Sequence, residues 1–405
     1  MASILKWIRS IILRAPSPSL HFPTNGFEVI PDSEVLEEEQ FEKFQKGEYC
    51  PVNIGDVFAS KYQVVGKLGF GVTSTVWLAR DLQKRQYVAL KVYTRGDDHQ
   101  EEFEVYQHLS KANPSHRGAL YVRTAIDTFT VPRAGGDHSC LVQMPMWDSF
   151  KDLLLRNPTH RFTEDLLKAG LQQVFLALDY LHTECKLVHT DIKGDNILQV
   201  IEDKPILKAF TASEMSDPSP RKSVNGMPVY ASRRFDRPKF WGRAVLSDFG
   251  SAVSGELKRN HDAQPNVYRS PEVMLQTEWS YPVDIWNVGV MIWDLFEDKH
   301  LFYGNDPHMK MYTTRAHLAE VVGMLGPPPL DMLARGKRSC EFFAEDGQWK
   351  AEVGIPQDTS LEQAEENLEG ENKEMFLRFM GGGLAWRPEE RKTARELLED
   401  EWINS

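Results

Sequence analysis

The 405-residue sequence predicts an α+β protein in which strands come first and helices follow. Two sets of segments carry that reading. Tyr62-Gln-Val-Val-Gly-Lys-Leu68, Ser74-Thr-Val-Trp-Leu-Ala79 and Tyr87-Val-Ala-Leu-Lys-Val-Tyr93 are short runs rich in β-branched and aromatic residues, the first two joined by a glycine-bearing turn. Phe162 to Thr183 repeats apolar residues, among them Leu167, Leu171, Val174, Leu178 and Leu181, near the 3.6-residue helical period. Val283 to Phe296 is a second strongly apolar segment.

Taken in order, residues 1–48 read as a tail. Met1 to Asn25 holds Lys6, Arg9 and Arg14, no acid, and the interrupted apolar stretch Ile4 to Leu13. That texture weakly resembles a mitochondrial presequence, and a disordered or locally helical tail is the preferred reading. Residues 32–48 are acidic (Glu37, Glu38 and Glu39 among them) and are expected to cap the β-rich part. That part spans 49–143, with one helix near Glu101 to Lys111; the helical part spans 144–405. Residues 202–244 carry five prolines and read as an insert with little regular structure of its own.

Composition narrows the function classes. Hydrophobic residues make up 41% and charged residues 26%, ordinary for a globular chain. A net charge of −12 argues against direct nucleic-acid binding, which needs a basic face. No apolar run of about 18 residues exists to span a membrane. Cys50, Cys140, Cys185 and Cys340 show no CxxC spacing, so they predict free thiols rather than a zinc site or disulfide framework.

Several short segments carry chemistry. Gly69-Phe-Gly-Val-Thr-Ser-Thr-Val76 lets a backbone without Cβ approach phosphate oxygens, with Ser74 at a third small position. Alone, an ordinary hairpin turn explains it as well. Val88-Ala-Leu-Lys91 ends a strand on a cation. His189-Thr-Asp-Ile-Lys-Gly-Asp-Asn196 sets a lysine two residues and an asparagine five residues after Asp191. Asp248-Phe-Gly250 and Ser270-Pro-Glu272 follow. One aspartate and one asparagine amide are the hard oxygen ligands that Mg²⁺ prefers.

In this order the segments resemble those of the eukaryotic protein kinases. The resemblance implies ATP and Mg²⁺ as cofactors and a protein Ser or Thr hydroxyl as acceptor. It places Leu68, Gly69, Gly71, Ser74 and Val76 around the nucleotide, with Ala89 leaving room for adenine and Lys91 on the α/β-phosphates. The acid partner of Lys91 is expected to be Glu104, with Glu101 and Glu102 as alternatives. Met144 and Met146 offer hinge backbone groups to adenine behind Gln143. Asp191 takes or orients the hydroxyl proton, Lys193 steadies the phosphoryl group, and Asn196 and Asp248 hold the metal. Asp284 is expected to cap the backbone of the catalytic loop, and Arg391 to pair with Glu272.

From about Glu37 to Ser405 the chain looks like the SR-protein kinase branch of the CMGC kinases, in a short fungal-type form. The matching residues are Tyr49-Cys-Pro-Val-Asn-Ile-Gly-Asp56, His189-Thr-Asp-Ile-Lys193, Tyr268-Arg-Ser-Pro-Glu-Val273, Gly336-Lys-Arg-Ser-Cys-Glu-Phe-Phe343 and Arg391-Lys-Thr-Ala394. This branch implies two lobes, a small β-rich one with one helix and a larger helical one. It also implies a monomer that phosphorylates Arg/Ser-rich splicing factors, in the cytoplasm and nucleus, with the mitochondrion kept open by residues 1–25. Two departures matter. Thr190 stands where an arginine usually anchors a phosphorylated activation loop, so activity without that phosphorylation is expected. The region that grips Arg-rich peptides in relatives here reads Lys299, Thr314, Arg315, Ala316 and Gly323, and Lys299 and Arg315 would repel a basic peptide. The competing class is a scaffold with a kinase fold and no transfer; Lys91, Asp191, Asn196 and Asp248 all stand against it.

Overall fold

The computed structural model describes residues 15–96 and 99–405; the most presequence-like stretch, residues 1–14, lies outside them. The chain forms two compact units, and neither is one continuous half. One comprises residues 1–99, 124–146 and 201–241; the other comprises 100–123, 147–200 and 242–405.

The first unit is built on a six-stranded antiparallel sheet. Its strands are β1 (Val57–Phe58), β2 (Tyr62–Gly71), β3 (Ser74–Asp81), β4 (Gln86–Tyr93), β5 (Ala125–Val131) and β6 (His138–Gln143), in the order β1-β2-β3-β4-β6-β5. Side chains alternate across a strand with period two. Val64, Trp77, Ala79, Val88, Leu90 and Val142 therefore share a core face, covered by Cys50, Val52, Phe58 and Tyr230. Each large side chain so buried contributes about 2 kcal/mol. The same alternation turns Val76, Ala89 and Lys91 to the opposite face, so one set of strands separates structure from chemistry.

Residues 15–31, expected to be mobile, run along this unit: Ser17 N–H donates to Leu82 O and Leu20 N–H to Gln63 Oε1. The insert also departs from expectation, being regular and belonging to this unit. Pro205 starts a helix, Pro205–Ser216, at the first position, where a fixed φ and a missing N–H do no harm. The Phe210 ring of that helix comes so near β2 that a Cβ at Gly66 would meet it at 2.7 Å. Strands Arg221–Val224 and Met227–Tyr230 form a hairpin across Asn225 (φ 51°) and Gly226 (φ 81°). Two left-handed residues are what a type I′ turn requires, and Asn-Gly is its strongest sequence signal. The density of prolines had masked that dipeptide.

The second unit is helical: α1 (Gln100–Lys111), α2 (Phe150–Arg156), α3 (Glu164–Thr183), α4 (Pro282–Phe296) and α5 (Thr314–Leu325) are its main helices. The predicted periodic helix is α3, capped by Thr163 Oγ1, which accepts Leu166 N–H at 3.3 Å. Helix α4 is buried on nearly every side, with Trp286 and Trp293 fully inaccessible, as its even apolarity foretells. Strands Ile197–Val200 and Ala244–Leu246 pair antiparallel, Leu198 beside Val245. The insert leaves and re-enters the chain at the end of this pair, where Val200 N–H bonds Arg243 O at 2.9 Å. Cys50, Cys140 and Cys185 are buried and unpaired, and burial raises their thiol pKa values. Among the described residues no helix is long and apolar enough to cross a membrane.

Candidate active site

In the sheet unit, strand register brings together the residues expected around the nucleotide. Gly69 lies beside Val76, Val76 beside Lys91, and Lys91 beside Leu141. One row further, Leu78 lies beside Ala89 and Ala89 beside Gln143, at the start of the segment leading to Met144 and Met146. Gly71 faces Ser74 across the turn. A register irregularity falls between Lys67 and Gly69, so Leu68 sits in a bulge. No other group lies within 4 Å of the Cβ positions of Gly69 and Gly71, so a ligand has room to approach their backbone. Gln143 is buried with its Nε2 unpartnered.

In the helical unit, the loop carrying Asp191 is fixed atom by atom. The fully buried Asp284 accepts His189 N–H at 2.7 Å on Oδ2 and Thr190 N–H at 2.8 Å on Oδ1, the expected cap. The His189 Nδ1 accepts Asp191 N–H at 3.2 Å, so its Nε2 carries the proton and donates to Ser247 O at 3.1 Å. Lys193 Nζ reaches Asp191 Oδ1 and Oδ2 at 2.8 and 2.9 Å. Asn196 Nδ2 donates to Asp191 O and Oδ2, both at 2.8 Å, which leaves its amide oxygen as the hard ligand end. Thr190 and Asp248 both adopt positive φ, 67° and 66°, strained values that cluster at functional sites.

Helix α1 places the candidate acids differently. Its buried stripe is Glu102, Tyr106 and Leu109, spaced one and two turns apart. Glu104 lies two residues, about 200°, around the helix from Glu102. It is exposed and accepts Gln100 Nε2 at 3.0 Å. Glu102 is the inward acid, its Oε2 3.3 Å from where a Cβ on Gly250 would lie. The spacing of Glu102 to Tyr106 and Leu109 is the sequence signal for which acid of this helix turns inward. Tyr106 also meets Phe249 edge-on at 5.6 Å, and Phe249 meets His189 at 5.1 Å, so the helix, Asp248-Phe-Gly250 and the Asp191 loop form one stack.

The segment after Gly250 makes hydrogen bonds to the Asp191 loop and within itself. Thr190 Oγ1 donates to Ser251 O at 2.8 Å. Arg269 bonds Ala263 O and Gln264 O within its own segment. Glu272 and Arg391 form the expected bidentate pair at 2.6 and 2.7 Å, fully buried.

A cavity of about 390 Å³ lies beside the Asp191 loop, lined by Asp195, Asp294, Asp298, Tyr268, His300 and Lys299 among others. Tyr268 OH donates to Asp294, and burial, helped by that carboxylate, raises the phenol pKa. His300 Nδ1 bonds Asp294 Oδ1 at 2.7 Å, and this bond raises the imidazole pKa. The two cations expected to repel a basic peptide are both engaged. Lys299 pairs with Glu366 at 2.7 Å, and Arg315 with Asp306 at 2.6 Å, the latter holding the Asp306 carboxyl well below its usual range.

The family profile of the protein kinase domain matches residues 62–235 and 239–403. A serine/threonine protein kinase of Aspergillus fumigatus is 43% identical over 396 residues, covering 96% of each chain. SRSF protein kinase 3 of Homo sapiens is 35% identical over a 516-residue alignment that covers 91% of this chain and 90% of that one. The serine/threonine-protein kinase SRPK of Physarum polycephalum is 29% identical over 395 residues, covering 91% of each. A kinase domain implies ATP and a divalent metal, and the order of residues needed for phosphoryl transfer is complete here. The chain is a serine/threonine protein kinase and belongs, within the protein kinase family, to the SR protein kinases.

Proposed function

We propose that this kinase uses Mg²⁺-ATP to phosphorylate serines in Arg/Ser-rich proteins. The observation that carries the substrate class is the cavity at Asp195, four residues beyond Asp191, which brings Asp195, Asp294 and Asp298 together, with Lys151 3.1 Å from Asp195 and His300 2.7 Å from Asp294 as partners that an arginine would have to displace. An arginine near the acceptor serine would find charge-assisted partners there. In the reaction the serine oxygen forms the new bond to the γ-phosphorus. The bond to the leaving ADP oxygen breaks, and the hydroxyl proton passes to Asp191. Lys193 neutralises charge on the transferring group, and Asn196 and Asp248 supply oxygens to the metal. The net charge of −12 favours a basic protein over nucleic acid as partner.

A general Ser/Thr kinase is the second reading. On α5, Thr314, Ala316 and Gly323 are not acidic, and the carboxylate of that stretch, Glu320, accepts the Tyr303 and Gly304 N–H groups at 2.6 and 3.0 Å. The test is phosphate transfer to an Arg/Ser repeat and to a generic basic Ser peptide, with Asp191→Asn as control. Transfer to the repeat, lost in the control, supports the proposal. Transfer to the generic peptide alone replaces it with the second reading.

A further inference from the structure

The turn between β2 and β3 has little to hold it from within. Gly69 and Gly71 have no neighbour at their Cβ positions, and Phe70 and Val72 at the tip are exposed. Thr94 N–H and Oγ1 hold Thr73 O at 2.8 and 3.2 Å, and the remaining contacts at the tip come from the chain just before the sheet. The hydroxyl of Tyr49 lies 2.6 Å from Gly71 O and 3.0 Å from Val72 O, sharing one proton between them. Tyr49 is 3% exposed and packs with Phe44 and with Val229 of the insert hairpin. Phe41, from the same segment, meets the Phe70 ring at 6.1 Å.

A second anchor lies at the base of the turn. Lys67, two residues before Gly69, is fully buried. Its Nζ bonds Glu38, Glu37 (2.7 Å) and the insert's Tyr230 O (2.9 Å). Ser232 of the insert donates to Glu37, and Lys222 of the insert pairs with Glu39 at 2.6 Å. The acidic segment and the insert thus grip the turn at its tip and at its base. Stacked networks of this kind rigidify what they touch.

We propose that Tyr49 is a positioning residue for nucleotide binding: its hydroxyl, backed by the insert hairpin and by the Lys67 ion cluster, clamps the carbonyls of the glycine-rich turn so that the turn's N–H groups are held for the ATP phosphates. The proposal rests on the assignment of this turn to ATP. A turn held in place loses less freedom on binding, so the clamp acts on affinity for ATP rather than on peptide binding.

Tyr49→Phe removes only the hydroxyl. Phe44→Leu disturbs the same cluster without touching the turn. In the full-length protein, Tyr49→Phe should raise KM for ATP about fivefold, the worth of one hydrogen bond. It should leave KM for peptide and kcat at saturating ATP within roughly twofold. Amide hydrogen exchange should quicken at Gly71 to Ser74 in the ATP-free variant. Phe44→Leu should lower Tm and leave KM for ATP unchanged. Unaltered KM for ATP and unaltered exchange in Tyr49→Phe overturn the clamp, as does a parallel rise of KM for ATP in both variants, which marks general loosening. A wild-type protein that binds no ATP in a nucleotide titration overturns the nucleotide assignment itself.

Discussion

Asp284 holds the backbone of His189 from inside the helical core, its Oδ2 accepting that N–H at 2.7 Å while Oδ1 accepts Thr190 N–H at 2.8 Å. One buried carboxylate thereby sets the path of the two residues that lead into Asp191. Asp284→Asn keeps the size but turns an N–H₂ toward one of two N–H donors. The expected loss is about 2 kcal/mol of stability, because a hydrogen bond to a charged group is lost and a buried donor is left unpaired. Chemical denaturation should show it, and kcat should fall with it. Unchanged stability and kcat would falsify the role of Asp284 as the loop's anchor.

Glu102 is the buried acid of α1 and Glu104 an exposed one, which predicts that the helix acid needed for transfer is Glu102. Glu102→Gln should lower kcat/KM by roughly 100-fold, as expected when a charge needed in phosphoryl transfer is removed. Glu104→Gln should stay within about twofold, since its partner is a solvent-exposed glutamine. Steady-state kinetics on both variants decide the matter, and the reverse order of effects would reinstate Glu104.

The pairing of His300 with Asp294 predicts a pH dependence of substrate binding. Its hydrogen bond to Asp294 raises the His300 pKa, while nearby Lys151 opposes that rise. A raised histidine pKa means that the pair's contribution is complete below the ordinary value near 6.5 and fades as pH rises through the raised value. Above that point neutral His300 leaves Asp294, beside Asp195 and Asp298, freer to meet a basic side chain. KM for an Arg-containing peptide should therefore fall between pH 6 and 8, with KM for ATP as internal reference. In His300→Gln the slope should vanish; a slope that persists assigns it to another group.

Thr190 predicts independence from activation-loop phosphorylation. Its hydroxyl bonds Ser251 O, and Arg269 is satisfied by carbonyls of its own segment, so no phosphate is needed to order residues 250–270. Phosphatase-treated enzyme should keep kcat/KM within roughly twofold of untreated enzyme. A kinase that is silent until an upstream kinase acts on it would refute this.

The motif residues were legible because their spacing is their chemistry. Asp191, Lys193 and Asn196 meet within 2.9 Å because two and five residues of one loop place them so. Gly69, Val76 and Lys91 align because strand register follows from alternation and a short turn. The insert is hard to read because five prolines suggest irregular chain, while the hairpin rests on one Asn-Gly dipeptide and the helix starts on a proline. Helical phase, which sets Glu102 in line with Tyr106 and Leu109 and Glu104 about 200° away, distinguishes the two acids where their sequence neighbours do not.

By itself the sequence determined the α+β order, the kinase motifs, the buried α4 helix and the pairs Asp284–His189 and Arg391–Glu272. These depend on periodicity, or on motif order specific enough to name partners far apart in the chain. Only the tertiary structure decided that Glu37, Glu38, Lys67, Tyr230 and Ser232 share one ion cluster, that Tyr49 reaches Gly71, and that Lys299 and Arg315 are already neutralised. Those contacts join residues up to 195 positions apart, and no local pattern encodes them. They exist because apolar faces must be buried, and the burial that brings two distant segments together also chooses which charges meet.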